Sequence, residues 1–351
     1  MRNYLLAFIC SLFLASICNA QTDTTTNPAQ PSEENTHAAT PAVDEIDEVL
    51  IIGEQPGPSL WKVYKDDHVL WVLGTLSPLP KKMQWRSRHA EIALKNSQEL
   101  LLPPTAKLDA GFFTIAAMIP SLIGIQKSPD GLSLQELLPV ETYALWLGLK
   151  DKYIGKDKGV EKYRPLFAGS ELIDRSIEKS GLIAEDIAWT KVEKIAKKEN
   201  IHITRPTMPF TLGNPRAAVK KFKKSPMDDI PCFTQILHRI DPDLTDMRAR
   251  ANAWAVGDIE TLSKLPVANY EATCFAAAMS SSISEEQDLK QMPKKLETVW
   301  LTTAEEVLTN NQSTFAILPI AEILKRDGYI AKLRDKGYRV EGFGFAAPQE
   351  P

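Results

Sequence analysis

Histidine is scarce in this chain, which has five histidines among 351 residues. Most schemes that activate water or a nucleophile use an imidazole as a base or as a metal ligand. No two of these histidines have the i, i+4 spacing of a helical zinc site, and the chain has no G-x-S-x-G nucleophile elbow. The sequence therefore contains no complete residue set for a recognisable catalytic chemistry.

Long apolar runs are also missing, apart from one at the amino terminus. Arg2 precedes an apolar run over residues 4–17, and Ala20 supplies a small residue after it, a pattern typical of a secretory signal peptide. We expect cleavage near Ala20 and a periplasmic or secreted protein. A lipoprotein anchor at Cys18 is the alternative, which the bulky Ile17 disfavours. No later segment is long and apolar enough to predict a membrane span.

Basic residues are not in excess, since 41 Lys+Arg stand against 45 Asp+Glu and give a net charge of −4. This balance argues against a general nucleic-acid surface. The lysines at positions 220, 221, 223 and 224 could meet a phosphate. Acidic neighbours and the acidic total favour a solvated helix face instead.

Cysteine is rare, and only two of the four cysteines follow the predicted signal peptide. Cys232 and Cys274 are predicted to form one structural disulfide in an oxidising compartment, with two unpaired buried thiols as the alternative. Neither cysteine belongs to a C-x-x-C or metal-finger pattern.

The mature chain divides by composition. Residues 21–46 are rich in Thr, Pro, Asn, Ser, Glu and Ala, which predicts a disordered spacer. Residues 47–346 can bury a sizeable core and are predicted to form one domain, with a tail over 347–351.

The order of elements predicts an α/β fold, in which a central mixed sheet comes from the amino- and carboxyl-terminal segments and encloses a large helical insertion. Strands are expected at 60–64, 68–73, 99–102, 201–204, 314–318 and 338–340. Helices are expected at 87–96, 112–123, 140–150, 169–178, 183–198, 296–308 and 330–334, with a helical hairpin over 242–265 that breaks at Gly257-Asp258.

Trp85 is the tryptophan most suited to a ligand site. It lies in an irregular stretch after Gly74, which is predicted to end a strand. Because α/β sheets usually bind ligands where their strands end, Trp85 is predicted to line a cleft.

Three segments resemble the TraB/GumN family, which is similar to the Tiki metalloproteases and to erythromycin-esterase-like and ChaN-like proteins. Residues 60–80 resemble the opening hairpin and first motif, residues 254–258 the middle aromatic and Gly-Asp segment, and residues 315–340 the closing strand, helix and Gly-Tyr-x-Val strand. The resemblance implies two G-x-x-H motifs whose histidines bind a divalent metal, and an acid after the second strand.

This chain departs from the family at each of those positions. Ser77 stands in place of the first histidine, Pro319 in place of the second glycine and Glu322 in place of the second histidine. Residues 102–104 read Leu-Pro-Pro where the acid is expected. One carboxylate and a hydroxyl do not make a hydrolytic metal site, so no cofactor is predicted, although oxygen ligands could hold a hard cation such as Ca²⁺ or Mn²⁺.

The leading hypothesis is therefore an exported, catalytically degenerate protein. Its cleft, with Gly74, Thr75, Trp85 and Pro319, is expected to bind a peptide, a glycan or an envelope protein. One alternative is a hydrolase with a rebuilt site, in which Glu322 is the base and Ser77 the positioning or attacking group. Another is a purely structural envelope component, marked by a large exposed apolar patch.

Overall fold

The computed structural model describes residues 54–55, 57–111, 115, 119–211, 214–224, 229–265 and 287–342. The predicted signal peptide, the spacer, the tail and Cys274 lie outside these residues, as does half of the predicted helix over 112–123. The domain boundaries and the disulfide therefore stay predictions. Cys232 lies in the first turn of a long helix and is partly buried against a helical core.

Twelve strands occur in the described residues, and we number them in chain order. They are β1 Glu54–Gln55, β2 Leu60–Lys65, β3 His68–Thr75, β4 Leu79–Pro80, β5 Gln84–Trp85, β6 Glu99–Leu101, β7 Thr105–Leu108, β8 Leu182–Ile183, β9 His202–Thr204, β10 Thr207–Phe210, β11 Ser313–Pro319 and β12 Arg339–Glu341.

Residues 115 and 119–122 are helical, and eleven further α-helices with defined bounds occur in the same residues. They are α1 Arg88–Lys95, α2 Leu134–Leu137, α3 Val140–Tyr153, α4 Pro165–Lys179, α5 Ile187–Lys198, α6 Pro215–Lys224, α7 Ile230–Val256, α8 Ile259–Lys264, α9 Gln287–Asn310, α10 Ile320–Leu324 and α11 Tyr329–Asp335, with one 3₁₀ turn at Gly159–Lys162.

Six strands form the central sheet in the order β12-β2-β3-β11-β6-β9. β3, β11, β6 and β9 are parallel, whereas β2 is antiparallel to β3 and to β12. β11 pairs with β3 from Ser313 opposite Val69 to Pro319 opposite Thr75. The predicted mixed α/β sheet, built mainly from the two ends of the domain around a helical insertion, is confirmed. The strands β1 and β5, β4 and β8, and β7 and β10 form three separate pairs.

Two main cores lie along successive stretches of the long helix α7. The first packs against the sheet, where β11 is buried at five consecutive positions, as expected for a parallel strand covered on both faces. The second fills the helical insertion around Trp146 and Phe233. α7 contributes Phe233 and Leu244 to the second core and Ala251 and Trp254 to the first, so one helix joins both.

Several helices differ from their predicted bounds. α5 begins at Ile187 and not at 183, because the Asp186 carboxylate accepts a hydrogen bond from Trp189 N and caps the helix there. α7 begins at Ile230, twelve residues before the predicted start at Pro242, because its buried face continues through the insertion. The predicted break is confirmed, since Gly257 ends α7 with a φ of 73°.

The first motif and the last strand also differ in detail. Gly74 was predicted to end its strand, but β3 continues to Thr75, because Thr75 still pairs with Pro319. The short helix α10, which carries Glu322, was not predicted.

We expect Gly74→Ala to lower the free energy of unfolding by about 1–3 kcal/mol, because overpacked cores must shift. A Cβ at Gly74 would lie 3.0 Å from both Ile320 Cγ1 and Trp61 Cζ3. Gly148→Ala, in the exposed interior of α3 with nothing within 4 Å of its Cβ, is the matched control and should raise stability by about 0.5–1 kcal/mol. Urea denaturation measures both changes, and equal effects would contradict the packing assignment.

Candidate functional site

The two motif segments meet at the carboxyl ends of β3 and β11. Thr75 and Pro319 are register partners there, and the buried Thr75 Oγ1 lies 3.5 Å from Leu318 O. Behind them, the Gly74 carbonyl accepts a 2.8 Å hydrogen bond from Trp254 Nε1. Gly74 and Thr75 are buried. At Gly74 the missing side chain makes room for Ile320 and for the Trp61 ring.

Ser77 lies just beyond this junction and is exposed. Its hydroxyl donates a short hydrogen bond to the carbonyl of Ala184, in the loop before α5. The hydroxyl is therefore directed to the backbone of another segment, and no hydrogen bond joins it to Glu322 among the described residues.

Glu322 lies in α10, directly after β11. Its Oε1 accepts a 2.7 Å hydrogen bond and ion pair from Lys325 Nζ, and its side chain is 20% exposed. Burial raises the pKa of Tyr329, and the negative charge of Glu322 raises it further. A Cβ at Gly328 would lie 2.2 Å from Glu322 O, so the chain returns tightly past this residue.

These donors do not fit the divalent metal that the family resemblance implies. Ser77 and Glu322 each have another partner, and the cation of Lys325 offsets the carboxylate charge that would attract a metal ion. Within the described ranges, no group of three His, Cys, Asp or Glu side chains converges. A hydrolytic zinc ion needs three protein ligands and an open position, which this arrangement does not supply.

Asp186 is a residue that sequence reasoning missed. It accepts a 2.8 Å hydrogen bond from Trp189 N, and its carboxyl lies near enough to Thr75 for that hydroxyl to affect its pKa. Burial raises the pKa of this carboxyl, although hydrogen bonds from Trp189, Thr75 and Ala188 partly oppose the shift. Asp186 therefore connects the cap of α5 to the end of β3. An Asp before an apolar helical run is a capping signal and could have identified it.

A cavity of about 470 Å³ opens beside this junction. Its lining comes from the segment after β4, from α1 and from the start of α5, and comprises Met83, Gln84, Trp85, Ser87, Arg88, Glu91, Ile187 and Lys191. Trp85 is the one predicted cleft residue that lines it. The cavity therefore lies next to the motif positions and does not contain Gly74, Thr75, Ser77, Pro319 or Glu322.

Trp85 connects the cavity to the sheet. Its ring makes an edge contact with Trp254, with centroids 5.5 Å apart and an interplanar angle of 67°. Lys191 Nζ lies 5.3 Å from the Trp85 ring centroid, within the range of a cation–π contact. Trp85 is 7% exposed, so it forms a wall of the cavity and is held from behind.

Charged groups form a network across the cavity. The Glu91 carboxylate accepts a short hydrogen bond from the Ser87 hydroxyl and lies 3.1 Å from Lys191 Nζ. The Ser87 hydrogen bond, followed by Lys191, holds the pKa of Glu91 below its ordinary value. Arg88 is exposed and makes no ion pair or hydrogen bond with the described residues. The lining therefore combines one satisfied ion pair with one available cation.

The fold and these positions define a mixed α/β protein with altered residues at the ends of its two central strands. The chain belongs to the TraB/PrgY/gumN family, whose model matches residues 59–342. No curated protein and no solved structure matches the chain. No helix in the described residues is long and apolar enough to cross a membrane.

The raised pKa of Asp186 predicts a pH dependence of stability that Asp186→Asn should remove. Because the folded pKa is raised above 3.8, the wild type should lose stability relative to this variant as pH rises from 3.8 through the folded pKa. Urea denaturation from about pH 3 to about pH 7 measures the difference.

Asp258, the cap of α8, is the matched control. The hydroxyl and backbone N–H of Thr261 lower the pKa of Asp258 below 3.8, so the wild type should gain stability relative to Asp258→Asn as pH rises toward 3.8. Slopes of the same sign at both caps would contradict the assignment.

Proposed function

We propose that this chain is an exported, catalytically degenerate member of the TraB/PrgY/gumN family that binds a peptide or glycan in the cavity beside Trp85. The proposal rests on the hydrogen-bond partners of the two altered motif residues. Ser77 is directed to the Ala184 carbonyl and Glu322 to Lys325, so neither supports a water-activating ion. The leader-like residues 1–20 support export.

The residues that line the cavity favour a ligand with an acidic group. Met83, Trp85 and Ile187 offer apolar surface, and Arg88 offers a guanidinium suited to a carboxylate. Arg88 is the first residue of α1, where a cation opposes the helix dipole. An unpaired cation at that position lowers the stability of the helix, and a bound carboxylate would relieve this cost. The volume falls within the range of small-ligand sites.

The alternative function is hydrolysis by a rebuilt site. The pairing of Thr75 with Pro319 favours it, because Ser77 and Glu322 follow neighbouring parallel strands at the same edge of the sheet. The Glu322–Lys325 ion pair disfavours it, since the carboxylate oxygen that would accept a proton is already bonded to Lys325 Nζ at 2.7 Å.

Metal content separates these two functions. We expect the full chain, purified without added metal, to hold substoichiometric Zn, Mn and Co by mass spectrometry, because two oxygen donors with other partners bind such ions weakly. Hydrolysis of casein and of p-nitrophenyl acetate should stay at background and be unchanged by Glu322→Ala. Stoichiometric metal, together with turnover that Glu322→Ala abolishes at unchanged stability, would instead establish the hydrolase.

Ligand binding is tested with pairs of probes that differ by one carboxylate. N-acetylmuramate against N-acetylglucosamine tests a glycan, and N-acetyl-Asp-Ala-amide against its Asn counterpart tests a peptide. The acidic member of one pair should bind more tightly by calorimetry, and Arg88→Gln should weaken its binding about 10- to 100-fold, since hydrogen bonds to charged groups contribute about 1.5–3 kcal/mol.

Lys82→Gln is the matched control. It removes an exposed cation nearby in the sequence that does not line the cavity, and it should leave binding unchanged. Equal binding of the acidic and neutral probes, or an equal effect of both variants, would refute the assignment to Arg88.

A further inference from the structure

Three isoleucines expose apolar side chains in the helical insertion, away from the cavity residues in sequence. Ile115, Ile119 and Ile123 are 38%, 53% and 73% exposed. Residues 119–122 are helical, and Ile123 follows them directly. Single exposed aliphatic residues are common, but three exposed isoleucines close together in the sequence make an apolar surface that calls for a partner.

Helix α6 is attached to the chain at Ser121 and Ile123. Lys223 Nζ donates hydrogen bonds to Ser121 O at 3.1 Å and to Ile123 O at 2.7 Å. About 100° around the axis of α6 from Lys223, Phe222 is buried in an edge contact with Phe167, with centroids 6.4 Å apart. These contacts fix which side of α6 faces the core and which side borders the isoleucines.

The solvent side of α6 is strongly basic. The helix reads PRAAVKKFKK, with five basic residues and no acid. Arg216, Lys220 and Lys224 are exposed, lie four residues apart and make no ion pair with the described residues. At about 100° per residue, Lys223 lies within about 20° of Arg216 around the helix axis. The basic side therefore borders Ile123, the residue to which Lys223 is bonded.

We propose that these isoleucines and the basic side of α6 form a docking surface for an anionic lipid bilayer. Apolar side chains next to lysines are the chemistry of helices that lie in a membrane interface. Basic residues add attraction to anionic headgroups. Because the whole chain is acidic, with a net charge of −4, this surface also sets the orientation in which the protein approaches a negative membrane. The contact is peripheral, and the lysine group is then more than a solvated helix face.

Hydrogen exchange measured by mass spectrometry tests the proposal on the full chain, with phosphatidylcholine vesicles that contain about one-third phosphatidylglycerol. Exchange should slow over residues 119–123 and 216–224. Because exchange is measured for each segment, protection of this surface is distinguished from protection of the apolar residues 4–17. Arg216→Gln/Lys220→Gln/Lys224→Gln should raise the lipid concentration needed for half-maximal protection about 100-fold at low salt. Each of the three charges contributes roughly fivefold.

Ile119→Ser/Ile123→Ser should remove the protection even with the basic residues intact. Two controls match these changes. Val140→Ser removes an apolar side chain that is 81% exposed on α3, and Lys82→Gln/Lys194→Gln/Lys198→Gln removes three exposed cations elsewhere. Neither control should alter protection. Absence of protection, equal protection by pure phosphatidylcholine, or equal losses in the control variants would overturn the proposal.

Discussion

The hydrogen bond from the Trp254 indole to the Gly74 carbonyl is the contact on which the arrangement of this molecule depends. It lies in the first core and joins the long helix of the insertion to the central strand that leads into the first motif. A buried indole N–H without an acceptor costs about 1–3 kcal/mol. Trp254 also supports Trp85 from behind, so the same side chain that fixes the helix on the sheet positions the wall of the cavity.

Much of the fold could be predicted, because hydrophobic periodicity and turn residues are local signals. The hairpin β2–β3, the strand β11 and the break at Gly257 follow from such signals. The start of α7 could not be located, because Pro242 is a strong local signal for a helix start. In the structure, residues 233–244 pack in the second core, and the helix therefore continues through Pro242. Short elements such as α10 have too few residues to show a period.

The candidate site was less accessible from sequence, because it depends on which distant segments meet. Trp85 was predicted from its position in an irregular stretch after Gly74, where a strand was expected to end, and it lines the cavity. Lys191 and Ile187 come from a helix about one hundred residues further along, and no local pattern indicates that they approach Trp85. The roles of Ser77 and Glu322 likewise depend on their partners, Ala184 and Lys325. Aligning the motifs identifies the altered residues. It does not identify the new contacts that these residues make.

The position of β11 has a consequence for how the chain folds during synthesis. β11 lies between β3 and β6, although more than two hundred residues separate it from either strand along the chain. A nascent chain that has emerged only as far as α9 therefore lacks the middle of its sheet, and β3 and β6 have no neighbour on their facing edges. Closing the sheet requires contacts of high sequence separation, which form slowly. Until the last segment leaves the ribosome, these open edges need protection from other chains.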